Sequence, residues 1–281
     1  MTDDGQLLRQ YVRQGSQAAF AALVARHLNF VYSVCQREAG DAALAEDVTQ
    51  VVFLILAKKA PTLRPEPSLT GWLFQTARFA ARNARRRAAR RKEWEARALA
   101  QTPTAGTDDA ALWDQVGPAL NDALAALGAK DREAVLLRFA DGLSFPELGT
   151  ALGTSEDAAR MRLTRAVERL RQFFAKQGVT LSVAGLTVLL ADRAVQAAPA
   201  ACVASVTRIA ESISPGAINA GLVSPQINSH LQGVLKAMTI SKLKLAATLG
   251  VGAILAGSLP FVTLAQTRKS PVLAVPHRKI A

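Results

Sequence analysis

Apolar side chains recur at three- and four-residue steps through most of the first 178 residues, the spacing of a helix with one buried face. After Ser16 the repeat is carried by Phe20, Leu23, Val24, His27, Leu28, Val31 and Val34. A short polar helix over 6–14 precedes it and stops at Gly15, and Ser16 is a good N-cap, its hydroxyl able to accept from a free first-turn N–H. Gly40 closes the second helix, and Asp41 caps a third that runs to about residue 60. Pro61, Pro65 and Pro67 then enforce a loop, because proline lacks an N–H and disfavours helix in the residue before it. Ser68 or Thr70 restarts a long helix to about residue 97, and QTPTAGTDD at 101–109 has the composition of a linker. A second helical block fills 110–176. No stretch alternates convincingly with period two, so the pattern predicts an all-α fold: a four-helix unit over 1–100 and a second helical unit over 110–178.

The most specific part of the second unit is 144–174. Ser144 can cap a short helix with Pro146 in its first turn, Glu147 beside its positive end, and Leu148 and Leu152 inward. Gly153, Thr154 and Ser155 make a tight turn, and Ser155 caps a longer helix opened by Glu156 and Asp157. This is a helix-turn-helix pattern. On the second helix Ala159, Leu163, Val167, Leu170 and Phe174 form the core stripe. Asp157, Arg160, Met161, Thr164 and Arg165 form a neighbouring stripe able to enter a major groove. Arg162 and Arg169 fall on a third face suited to backbone phosphates.

Charge sharpens the reading of the first unit. Acids and bases balance up to Ala60, but Arg78, Arg82, Arg85, Arg86, Arg87, Arg90, Arg91 and Lys92 then follow in close order. A cationic stripe in an otherwise neutral domain is an electrostatic footprint for a polyanion. Trp72, Phe74 and Phe79 sit among these cations. Aromatics interleaved with arginines suit single-stranded DNA, since each stacked base contributes about 1–3 kcal/mol; the plainer alternative is that the aromatics fill core. The third helix also has two faces: Leu44, Val48, Val51, Val52 and Ile55 on one side, and Glu46, Gln50, Phe53, Leu54 and Ala57 on the other. A Phe and a Leu exposed beside acids and an amide would suggest a partner surface; the alternative is a helix buried on both sides.

Cys35 and Cys202 are far apart and neither is part of a CxxC pair, which argues against a zinc site or a disulfide framework, and Cys35 fits an apolar core position. His27, His230 and His277 form no ligand spacing. No nucleophile–base set, metal cluster or phosphate loop is present, so no catalytic or metal residue and no cofactor is expected, and the chain does not read as an enzyme.

Leu143–Gly149 (LSFPELG) followed by Thr154–Ala166 (TSEDAARMRLTRA) resembles the promoter-reading domain of extracytoplasmic-function sigma factors, the part that reads the minus-thirty-five element. The preceding 127–143 is similar to the helix packed against it. Where that family usually has Thr-Val this chain has Ala158 and Ala159. Glu46–Phe53 (EDVTQVVF) resembles the family's core-polymerase-binding helix, and Thr70–Phe74 (TGWLF) through Arg78 and Asn83 resembles its minus-ten segment. The resemblance spans about 6–178. It implies that Asp47, Gln50, Phe53 and Leu54 touch core RNA polymerase, and that Trp72, Phe74, Arg78, Arg82, Asn83 and Arg86 hold the melted minus-ten strand. It further implies that Ser155, Asp157, Arg160, Met161, Arg162, Thr164 and Arg165 read the upstream duplex. Core RNA polymerase and promoter DNA are thus the expected partners, with an anti-sigma protein possible in addition.

Beyond 178 the pattern changes. Residues 179–244 are rich in small residues and read as partly helical and loosely packed. Residues 245–265 (LAATLGVGAILAGSLPFVTLA) carry no charge and have about the length of a membrane-spanning helix, followed by a short basic tail over 266–281. The expected arrangement is a cytoplasmic pair of DNA-binding units tethered to the inner membrane. A membrane-tethered helix-turn-helix regulator acting without polymerase is the rival reading.

Overall fold

The structure, a computed structural model, describes residues 3–63, 68–95, 108–216 and 224–236. Every one of them that belongs to a regular element is helical. The chain runs α1 (Asp4–Gln14), α2 (Gln17–Ala39), α3 (Ala42–Lys59), a 3-10 turn (Ala60–Thr62), α4 (Leu69–Glu95), α5 (Asp108–Ala126), α6 (Ala129–Phe139), α7 (Phe145–Ala151), α8 (Glu156–Ala175), α9 (Val183–Arg193) and α10 (Ala200–Ser212). A further helix, α11, covers 225–236. Of the linker expected at 101–109, residues 101–107 lie outside the described residues, as does the apolar segment at 245–265, and Asp108 and Asp109 already belong to α5.

The predicted punctuation does its work. Ser16 Oγ accepts from the Ala19 N–H at 3.2 Å and Asp41 Oδ1 from the Leu44 N–H at 2.8 Å, each satisfying a donor that the helix start leaves free. Gly15 and Gly40 take φ of 65° and 69°, left-handed values that suit glycine, and their N–H groups close the last turns of α1 and α2. Ser68 opens α4, its Oγ accepting from the Gly71 N–H at 3.2 Å.

Helix α2 is the spine. It is long and apolar enough to cross a membrane by length and composition, but it is mostly buried. It packs against α1, α3, α4, α5 and α10. Phe20, Leu23, Val31, Val34 and Cys35 are essentially fully buried, and Tyr11 of α1 stacks on Phe20 with ring centroids 4.4 Å apart. Burial raises the Cys35 thiol to about 12, so it is an inert core group.

The two predicted units also touch. Helix α5 packs on α2 and α8, and α4 on α6. The described residues of the 179–244 stretch, 179–216 and 224–236, are more helical and better packed than its composition suggested. Leu186 and Leu190 of α9, Cys202, Val206 and Ile209 of α10, Ile213, and Ile227, Leu231 and Val234 of α11 are all buried. Small residues hid the signal, because an alanine at a spacer position neither marks nor breaks the helical period.

Candidate nucleic-acid interface

In the 144–175 region the geometry follows the sequence pattern closely. The Glu147 carboxylate accepts from the Ser144 N–H at 2.8 Å and from its hydroxyl at 2.6 Å. These two bonds hold the Glu147 carboxyl below the ordinary range. Leu137, Leu148 and Ala159 form the small core of the motif, with Leu143, Phe145 and Leu152 packed around it. Gly153 takes φ 62° in the turn. A methyl on Gly149 would lie 3.0 Å from the Thr154 carbonyl oxygen and 3.1 Å from the Glu156 nitrogen, so α7 crosses the turn at backbone contact. Ser155 then caps α8, its Oγ accepting from the Ala158 N–H at 3.2 Å.

On α8 the core stripe Ala159, Leu163, Val167, Leu170 and Phe174 is buried. Ser155, Asp157, Arg160, Met161, Thr164 and Arg165 are all exposed, and Arg162 is half-buried at their edge. Met161, at 59 % exposure, is a large apolar side chain held in solvent. Arg160 is held in place: it donates to Glu156 at 2.7 Å, and its guanidinium lies 4.5 Å from the centre of the Phe145 ring. Phe145 as a platform was not anticipated from the sequence. The only signal for it was an aromatic residue at the start of a helix too short to bury it. Arg169, expected on a phosphate-facing side, is exposed and pairs with Asp131 of α6.

The α4 residues are more divided. Trp72 is half-buried and Arg86 exposed, while Leu73 and Phe74 are fully buried. Phe74 therefore fills core and offers no stacking face in this conformation. The reason is periodicity: it shares a face with Ala77 and Ala81, which are also buried. Arg78 and Arg82 are not free cations either. Arg82 Nε donates to Glu38 at 2.5 Å, Arg78 lies 3.6 Å from the same carboxylate, and both pair with Asp122 of α5. Glu38 is only 5 % exposed and also accepts from Asn121 Nδ2 at 3.3 Å. Sequence reading missed this network, because its members come from three helices far apart in the chain. Asn83 Nδ2 donates to the Gly233 carbonyl at 3.2 Å.

On α3 the expected partner face is covered. Phe53 and Leu54, read as exposed, are 0 % and 1 % exposed, because α3 packs on α2 and α4 and also on α10. Gln50 and Asp47 are half-buried, and Asp47 Oδ2 accepts from Gln226 of α11 at 2.7 Å. Burial raises the Asp47 carboxyl, an effect only partly offset by the charge of His230 and the bond from Gln226.

Among the described residues no group of three or more His, Cys, Asp or Glu could hold a metal ion. The sigma-70 region 2 family matches residues 23–91, and the sigma-70 region 4 family matches residues 118–170. The RNA polymerase sigma factor CarQ of Myxococcus xanthus is 35 % identical over 164 residues, which cover 57 % of this chain and 91 % of that one. The extracytoplasmic-function sigma factor SigL of Mycobacterium tuberculosis is 34 % identical over 180 residues, covering 59 % and 97 %. Among solved structures, the sigma factor RpoE of Bartonella quintana, in complex with the anti-sigma factor NepR, is 21 % identical with a TM-score of 0.30, covering 56 % of this chain and 96 % of that one.

Proposed function

The chain belongs to the extracytoplasmic-function sigma factors of the sigma-70 family, and from that premise we propose which of its side chains do the work of a promoter-recognising subunit. As a sigma factor it acts in transcription initiation with RNA polymerase, and an operator-binding regulator without polymerase is no longer the favoured reading. Sigma factors are DNA-binding initiation factors rather than enzymes.

In this reading residues 1–100 bind core polymerase and the minus-ten element, 101–109 link, and 110–178 read the minus-thirty-five duplex. The observation that carries it is the separation of faces on α8: a buried stripe anchors the helix while Asp157, Arg160, Met161, Thr164 and Arg165 stand in solvent. A groove-reading helix needs that division, with base-edge contacts specifying and phosphate contacts positioning. Ser155 and Arg162 flank the stripe. Asp47 and Gln50 are the accessible members of the polymerase-facing set, and Phe53 and Leu54 join them only once their cover moves. Trp72 and Arg86 are best placed for the melted strand, and Asn83 joins them once it leaves the Gly233 carbonyl. Arg78 and Arg82 would reach it only by leaving Glu38, and Phe74 supports the helix from within.

The test is core binding. Gln50→Ala should weaken capture by purified core polymerase about tenfold or more while leaving helical content intact. Unchanged capture refutes the α3 assignment. Phe53→Ala is a poorer probe, since emptying a fully buried Phe site costs about 3–5 kcal/mol of stability. Transcription places the DNA-binding helices in the cytoplasm. We propose further that 245–265 anchors the chain to the inner membrane, so that deletion after Gln232 moves it from the membrane fraction to the soluble one. A full-length protein already wholly soluble contradicts the anchor.

A further inference from the structure

The segment after α9 is seated on the first unit by a run of specific contacts. On α2, Asn29, Ser33 and Arg37 stand four residues apart and so share one face. Asn29 Oδ1 accepts from the Ala198 N–H at 3.0 Å, and Ser33 Oγ accepts from the Gln196 N–H at 2.7 Å. Arg37 Nη1 donates to the Ala194 carbonyl at 2.8 Å. Three polar side chains thus bind the backbone of 194–198 as a track. Ser33 also donates to the Asn29 carbonyl of its own helix at 2.7 Å and Arg37 to Asn121 of α5 at 3.2 Å, so the track is continuous with the bonding of the folded units.

Helix α10 then lies across α2 and α3 with Cys202, Val206 and Ile209 buried, followed by Ile213. The Tyr11 hydroxyl reaches the Ile213 carbonyl at 3.4 Å, and the Gly216 N–H donates to the Ala57 carbonyl at 3.0 Å. Helix α11 adds Gln226 on Asp47, and it accepts from Arg87 at Ser229 (2.9 Å) and from Asn83 at Gly233. A side chain at Gly233 would meet the Arg87 guanidinium, the far end of a flexible side chain that can move aside. Glu46, Gln50, Phe53 and Ala57 fall on one helical stripe of α3. The tail bonds to the Ala57 carbonyl at one end of it.

We propose that residues 194–216 and 224–236 are an intramolecular occupant of the polymerase-facing side of α3 and of the adjoining part of α4, so that core polymerase must displace the chain's own tail. This rests on the assignment of α3 to core binding made above. The matched sigma-70 regions end at residue 170, so the occupant is a further segment and not part of either DNA-binding unit. Its chemistry suits a displaceable restraint: the contacts are backbone bonds, half-buried polar pairs and a modest apolar stripe, with no disulfide between the two free cysteines.

The experiment compares affinity for purified core polymerase between the full chain and the full chain carrying Val206→Asp and Ile209→Asp, which should lift α10. The lifted variant is expected to bind about tenfold tighter or more, as follows if a tenth or less of the parent is open. Equal or weaker binding by a variant that keeps its helical content overturns the proposal. If the aspartates unfold the chain, Gln226→Ala with Leu231→Ala decides in the same way: tighter binding supports and unchanged binding overturns. Adding Gln50→Ala separates the two claims. If lifted and parent chains bind equally and both lose affinity with Gln50→Ala, the α3 assignment stands and the tail proposal falls. If lifting tightens binding but Gln50→Ala changes nothing, the α3 assignment falls, and the proposal with it.

Discussion

Asp141 sits at the junction of the helix-turn-helix unit with the first unit, where the Thr70 hydroxyl donates to it at 2.6 Å and His27 lies 3.9 Å away. Burial raises its carboxyl, an effect that His27 and Thr70 only partly offset. Its neighbour Asp4, hydrogen-bonded to His27 at 2.7 Å and paired with Arg26, goes the other way: burial would raise it, but those partners outweigh burial and hold it below 3.8. The signs follow from linkage. Asp141 costs stability as pH rises from its unfolded value through its raised folded one, whereas Asp4 loses its contribution as pH falls through its lowered one. Asp141→Asn should therefore be at least as stable as the parent at pH 7, with the difference shrinking towards pH 4 in thermal melts. A variant less stable at pH 7 contradicts this. Arg160 is held by Glu156 and Phe145, and in the proposed reading it contacts the upstream duplex. Arg160→Ala should cost about 1–3 kcal/mol of affinity for promoter duplex, measured by anisotropy against unrelated duplex. Equal loss on both duplexes would make it a phosphate contact.

At the scale of elements, α7 and α8 are specified by local chemistry. Ser144, Glu147, Gly153 and Ser155 each do what their positions require, which is why the motif was legible from sequence. Gly149 extends this. Adding a methyl pushes on backbone at 3.0–3.2 Å, and the turn has no flexible side chain to yield. Gly149→Ala should destabilise the chain by about 1–3 kcal/mol on denaturant unfolding and weaken upstream duplex binding in parallel. No loss of stability would mean that the turn can shift. Helix α3 was legible as a helix but not in its surroundings. Two apolar faces can mean a partner surface or burial on both sides, and the packing of α2, α4 and α10 around α3 decides between them. Periodicity fixes where side chains point along a helix, not what lies opposite.

For the whole molecule, the decisive contacts join residues distant in sequence, and pattern reading cannot see them. The Glu38 carboxylate gathers Arg78, Arg82 and Asn121 from α4 and α5, so arginines that look like a DNA stripe also lock the two units together. Glu38→Ala should lower stability by about 2 kcal/mol, less than the 3–5 kcal/mol of a fully buried pair because Arg82 is a third exposed. Thermal melting checks this, and an unchanged midpoint would show the network to be dispensable. The tail's placement on α2, α3 and α4 was equally invisible, since its small residues give little periodic signal and its anchors are backbone groups. The most direct test of the sigma reading is transcription in vitro by purified core polymerase on a pool of genomic fragments, with start sites mapped. Added protein should direct new starts that share minus-ten and minus-thirty-five elements, and Gln50→Ala should suppress them. Starts identical to those of core polymerase alone would contradict it.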